Sequence, residues 1–193
     1  MSTDRATTRK RGRGQNDPGR PGRIVRAAIT VIAEHGVEAL THRKVAEAAD
    51  VPLGSTTYYF TGLDQLVRAA MDEVARRSVA QLREWEQELP PDAALPTALA
   101  DFVVASATEQ RKYTIAEHNL YTVSLHRPDL RPAAAAWDDA FAESFIARTD
   151  SVTGRMLGTL TCGLQMQVVL RDEKPDRDKL AAFVHRALVG SVA

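Results

Sequence analysis

The sequence predicts an all-α fold: a head of three short helices, joined by a long helix to a helical body, about nine helices in all. Three observations carry this reading. Apolar residues recur at helical spacing along most of the 193 residues, and Pro and Gly separate the runs. The stretch THRKVAEAADVPLGSTTYYFTGLDQLV, Thr41 to Val67, holds two short helical patterns around a tight turn, and a longer one follows at once. Charge is also uneven within a neutral whole. Residues 1–68 carry 11 Lys+Arg against 7 Asp+Glu, whereas residues 69–193 carry 14 against 18. A basic head on an acidic body suits a nucleic-acid-binding module attached to a part that does not bind nucleic acid. The expected division is an arm over 1–22, a head over 23–68 and a body over 69–193.

The arm is basic and rich in glycine, has no apolar period, and is expected to be disordered. Arg20 and Arg23 flank Pro21-Gly22, in a GRPGR run similar to the Gly-Arg-Pro core of minor-groove hooks. Contact with phosphates, or simple solvation, are the alternatives for this segment.

The first head helix is expected from about Arg23 to His35, with Ile24, Ala28, Val31 and Ile32 on one stripe and Gly36 as a left-handed stop. The second begins at Thr41, whose hydroxyl suits an N-cap; Val45, Ala46 and Ala49 face inward, and His42, Arg43 and Lys44 can reach a DNA backbone. Asp50-Val51-Pro52 is the turn. The third runs from Leu53 or Gly54 to about Phe60, with Thr56 and Phe60 inward. Ser55, Thr57, Tyr58 and Tyr59 are left for the outer and flanking faces, with no acid among them. Hydroxyls and aromatics there suit phosphate oxygens, base edges and thymine methyls. Alternatively, one tyrosine packs on the head, and Tyr59 is the better placed of the two.

The spacings from Arg23 to about Met71 resemble the DNA-binding head of the tetracycline-repressor family of bacterial regulators: an amphipathic helix ending in His35-Gly36-Val37, THRKVAEAADV as second helix and turn, and GSTTYYF as recognition helix. The resemblance implies that Thr41 and His42 approach phosphate and that Arg43 reads a guanine. It implies that Leu53, Gly54, Ser55 and Thr57 face base edges, and that Tyr58 and Tyr59 contact the backbone or the adjoining base. The chain departs from the family pattern at Asp50, Leu53, Thr57 and Leu63.

The body begins with a long helix, Leu63 to Glu88, about 39 Å at about 1.5 Å per residue. Further helices are expected over Ala94–Thr108, Arg111–His126, Leu130–Thr149, Val152–Leu170 and Pro175–Val189. The Arg111–His126 helix carries Tyr113, Glu117 and Tyr121 on one side, polar groups of the kind that orient a mostly apolar ligand in a cavity. Met71, Phe102, Trp137, Phe141 and Met166 are candidate walls, although aromatics and methionines at helical spacing serve equally well as core. The segment AEHNLYTVSLHRPDLRP is similar to a body subgroup of the family. On the last two helices, Met156, Leu160, Leu164, Phe183, Val184 and Leu188 are candidate dimer contacts, with Gly154, Gly158 and Gly163 allowing close approach. Burial within the same subunit is the alternative use of both stripes.

No catalytic constellation stands out. The five histidines form no i, i+4 metal pair, and Cys162 is a lone cysteine, which fits a reducing cytoplasm. Neither an apolar signal region nor a membrane-spanning run is present. The expectation is therefore a cytoplasmic, nucleoid-associated homodimer without metal or cofactor, not an enzyme. It would bind a palindromic double-stranded operator and release it on binding a small-molecule effector. An activator of the same fold is the near alternative. A helical ligand carrier or enzyme with a structural head is the distant one.

Overall fold

The computed structural model describes residues 17–171 and 173–190. Among them are nine α-helices and no strand: α1 (Arg20–His35), α2 (His42–Ala48), α3 (Leu53–Tyr59), α4 (Leu63–Glu88), α5 (Leu95–Ala107), α6 (Arg111–Ser124), α7 (Arg131–Ile146), α8 (Ser151–Leu170) and α9 (Arg177–Gly190). A single 3-10 turn, Val37–Ala39, follows α1. Among the described residues no helix is long and apolar enough to cross a membrane.

Residues 1–16 of the expected arm lie outside the described residues. The remainder differs from expectation, because α1 begins at Arg20, three residues before the predicted start. Pro21 falls in the first turn, where its missing N–H costs nothing and its fixed φ suits a helix. Arg20 and Arg23 are thus helical residues, not parts of a flexible arm. Arg23 pairs with Asp17 at 2.6 Å and holds that carboxyl below its usual range. Gly36 ends α1 at φ 79° and ψ 167°, a positive-φ conformation open to glycine but outside the left-handed helical well.

Two apolar clusters hold the chain together. The first gathers Ile24, Ile29 and Ile32 of α1, Val45 of α2 and Leu66, Val67 and Met71 of α4. It runs on into the body through Ala116 and Leu120 of α6 and through Leu130 and Ala134. The head is therefore packed directly on α6, and Asn119 of α6 donates to the Ile32 carbonyl at 3.3 Å. The second cluster joins Leu82, Leu99, Phe102, Trp137, Phe141, Phe145, Leu157 and Val184.

The small-residue stripe on α8 has a use other than the expected one. A Cβ on Gly154 would lie 2.6 Å from the Ile146 nitrogen, and one on Gly158 would lie 3.3 Å from the Ala142 nitrogen. These glycines let α8 approach α7 of the same subunit. Gly163 is open, with nothing within 4 Å of its Cβ position.

Candidate nucleic-acid interface and ligand cavity

The outer face of the head is built by a short loop. The Thr41 hydroxyl accepts from the Lys44 N–H at 3.2 Å and starts α2 as expected. Asp50 then turns the chain at φ 50°, a conformation that Asp tolerates at modest cost. Val45 and Ala46 of α2 and Thr56 of α3 face the core. The Thr56 hydroxyl returns to the Leu53 carbonyl at 2.8 Å, so this buried polar group is satisfied within its own helix.

That packing leaves the opposite face in water. Thr41, Arg43, Lys44, Leu53, Gly54, Thr57 and Tyr58 are exposed, and Ser55 and His42 are half-buried. Among the described residues no acid pairs with Arg43 or Lys44. Tyr58 is 79% exposed, an aromatic ring that the fold itself does not need. Tyr59 instead packs against the head core and meets Tyr58 edge to face, ring centroids 5.0 Å apart. The exposed surface is thus basic at the start of α2 and hydroxylic and aromatic along α3.

Inside the body, α4, α5, α6 and α8 enclose a narrow cavity lined by Val74, Arg77, Ser78, Phe102, Ser106, Tyr113, Glu117 and Gln165, among others. Its volume is about 20 Å³, room for roughly one water. Of the expected wall residues, Phe102, Tyr113 and Glu117 line it. Trp137 adjoins it, donating from Nε1 to the Ser78 hydroxyl at 2.8 Å. Phe141 stacks behind, on Phe102 and Trp137. The Tyr121 hydroxyl donates to Asp138 at 2.8 Å, and its ring packs on Trp137. Two assignments are corrected. Met71 is buried in the head cluster, and Met166 is 39% exposed on the outer side of α8, so neither reaches the cavity.

Glu117 is the chemically distinctive group here. Its Oε1 is cut off from water and has no hydrogen-bond partner. Burial raises its pKa from the usual carboxylate range to about 8, against the opposing effect of hydrogen bonds from Ser78 and Trp137. Gln165 Oε1 is likewise buried and unpartnered, although its Nε2 donates to Ser106 at 2.7 Å. Next to Glu117, His118 faces Cys162, its Nε2 lying 3.4 Å from the Cys162 carbonyl, and burial lowers its pKa. Burial raises the Cys162 thiol to about 11, so it is not a thiolate nucleophile at neutral pH. Among the described residues no group of three His, Cys, Asp or Glu side chains could hold a metal ion.

Sequence reasoning missed Arg77, Ser78, Ser106 and Gln165. Ser106 and Gln165 interrupt apolar stripes of α5 and α8, a signal that could have found them. Arg77 carries no such signal.

The candidate dimer residues divide. Leu164 and Val184 are buried in their own subunit, a correction, and Leu160 and Leu188 pack partly on the same core. Met156 and Phe183 are exposed, and Val152, Met166, Leu170 and Val189 extend the exposed apolar surface of α8 and α9.

The head and body are joined by a charged clasp. Arg127, just after α6, bonds Asp64 of the first turn of α4 at 3.0 Å. It also bonds Asp129 at 3.1 Å, and Asp129 pairs with Arg68 of α4 at 2.9 Å. Arg131 donates to the Ser124 and Leu125 carbonyls at the end of α6. The Arg-Pro-Asp-Leu-Arg run of the sequence thus ties the end of α6 to the helix that follows α3.

Comparison with known proteins agrees with this architecture. Residues 24–70 match the family of bacterial regulatory proteins, tetR family, and residues 90–190 match the tetracyclin repressor-like C-terminal domain. The multidrug binding protein EbrR complexed with imidazole is 38% identical, with a TM-score of 0.72 over 89% of this chain and 90% of that one. The same protein complexed with ethidium gives 37% identity and a TM-score of 0.74 over 89% and 99%. A TetR-family member from Streptomyces coelicolor A3, SCO1917, gives 37% and 0.77 over 88% and 98%. No curated protein sequence matches the chain.

Proposed function

Because the chain belongs to the tetracycline-repressor family of transcriptional regulators, and not to an enzyme family, we propose that it is a ligand-responsive repressor acting as a cytoplasmic homodimer on a palindromic operator. One observation carries the DNA-reading part. The α2–turn–α3 unit turns Val45, Ala46 and Thr56 inward and leaves Arg43, Leu53, Gly54, Thr57 and Tyr58 in water, with no acid on α3 and none paired with Arg43 among the described residues. Arg43 suits the O6 and N7 of a guanine, the Leu53 side chain a thymine methyl, and the hydroxyls of Thr41, Ser55, Thr57 and Tyr58 phosphate or base edges. Tyr59 keeps the head packed. Arg20 and Arg23, at the start of α1, share the Asp17 carboxylate and together leave one net positive charge for a DNA backbone. DNase footprinting of the upstream intergenic region tests this reading: two protected half-sites about one helical turn apart are expected, and uniform or absent protection would overturn it.

The proposed effector is a planar aromatic cation. Glu117 supplies a buried, incompletely satisfied carboxyl, and Tyr113, Phe102, Trp137 and Phe141 supply aromatic surface around it. The ethidium complex of EbrR supports the same chemistry. A volume of about 20 Å³ is far below the several hundred that a drug-sized ligand needs, so α6 must move outward on binding. The clasp at Arg127 and Asp129 carries that motion to Asp64 and Arg68 of α4, directly behind the recognition helix. Ligand binding then favours a head spacing that no longer fits the operator. The exposed apolar surface around Met156 and Phe183 suits the two-fold contact between subunits.

A further inference from the structure

The cavity already contains a cation of its own. The Arg77 guanidinium lies over the Tyr113 ring, its carbon 3.8 Å from the ring centroid. Its Nη2 also reaches the Gln110 Oε1 at 3.3 Å, and both residues belong to the cavity lining. Lys112 stands 5.5 Å from the same ring centroid but is held toward α1, donating to the Thr30 hydroxyl at 3.1 Å. A guanidinium stacked on a tyrosine face presents a flat, delocalised positive charge to an aromatic ring. A planar aromatic cation would present the same charge and shape. The two therefore compete for one ring face, and Arg77 sits on it.

We propose that Arg77 is an internal plug of the effector site, holding the Tyr113 face until a planar aromatic cation displaces it. This rests on the cationic-effector reading above and adds a selectivity device to it. A ligand without both charge and a flat ring gains too little at Tyr113 to dislodge the guanidinium. Arg77 is exposed and makes no ion pair among the described residues, so once displaced it can move into water without stranding a partner. Among the described residues the one hydrogen bond it surrenders is that to the uncharged amide of Gln110, which is half-buried and can turn to water.

The test is ethidium binding to the purified full-length dimer, free of DNA, followed by fluorescence. Arg77→Ala is expected to bind ethidium about three- to tenfold more tightly than the wild type. In a Tyr113→Leu background, which keeps bulk but removes the quadrupole, the same substitution is expected to change affinity less than twofold. An Arg77→Ala variant that binds ethidium no better than the wild type, with helical content unchanged by circular dichroism, overturns the plug and leaves the effector reading standing. A gain that persists in full with Tyr113→Leu also overturns it, because removal of like charge would then suffice. If neither the wild type nor Arg77→Ala binds ethidium, the cationic-effector reading falls and the plug falls with it.

Discussion

Glu117→Gln isolates a single buried carboxyl. In the folded protein burial moves that group from 4.5 to about 8, whereas in the unfolded chain it returns to the ordinary value. The charged and titratable groups around it are Arg77 of α4 and Tyr113 of α6, which line the same cavity, and Cys162 of α8, whose thiol its charge acts on. Between those two pKa values the folded protein binds the proton and the unfolded chain does not. The contribution of Glu117 to stability must therefore fall as pH rises through this window, at about 1.4 kcal/mol per pH unit, and level off above pH 8. The total is about 5 kcal/mol, of which about 3–4 kcal/mol lies between pH 5 and pH 8. Glutamine keeps the shape and removes the titration. Urea unfolding of both proteins at one fixed subunit concentration, at pH 5, 6, 7 and 8, gives the comparison. The variant is expected to gain on the wild type with each step upward. Parallel stability curves for the two proteins would refute the buried, protonated carboxyl.

Three further outcomes follow from particular contacts. Gly154→Ala forces a methyl to within 2.8 Å of the Ile146 Cα, so α7 and α8 must part; a loss of about 2–3 kcal/mol and a melting point about 5–10 °C lower are expected by calorimetry. Phe183→Asp places a charge on the exposed apolar face of α9, once from each subunit of the proposed dimer, and sedimentation velocity should show subunit association weakened at least tenfold, with helical content unchanged. Arg43→Ala removes a guanidinium that no acid pairs among the described residues, and a binding-site selection should show one base position relaxed by about 1–3 kcal/mol while the others keep their preference.

Local signals were read well where the chain's own chemistry decides the outcome. The bounds of α4 follow from Gly62 before it and Pro90-Pro91 after it, and the observed helix is Leu63–Glu88 as expected. Thr41 caps α2, and Asp50 takes the positive-φ position of the turn. The start of α1 lies ahead of the expected one because the apolar stripe begins only at Ile24, whereas Pro21 is compatible with a first turn. Tertiary choices were less legible. Helical spacing puts Met71 and Met166 on apolar stripes, but it does not say which neighbour each stripe meets; the head core takes one and the outer face of α8 the other. The same ambiguity hid the division of Leu164 and Val184 from Met156 and Phe183, and the use of Gly154 and Gly158 inside the subunit. Arg77 was not legible at all. A charged residue on a long helix reads as solvent-facing, and only the approach of α6 brings Tyr113 beneath it.

DNA reading by the acid-free face of α3 is what the proposed function rests on. Its most direct test is fluorescence anisotropy of the wild-type protein with a labelled duplex from its own upstream region, against a scrambled duplex of equal length, over a series of salt concentrations. The expected result is a preference of at least about 10³ for the upstream duplex, with affinity for both falling steeply as salt rises. Equal affinity for the two duplexes at every salt concentration would contradict it.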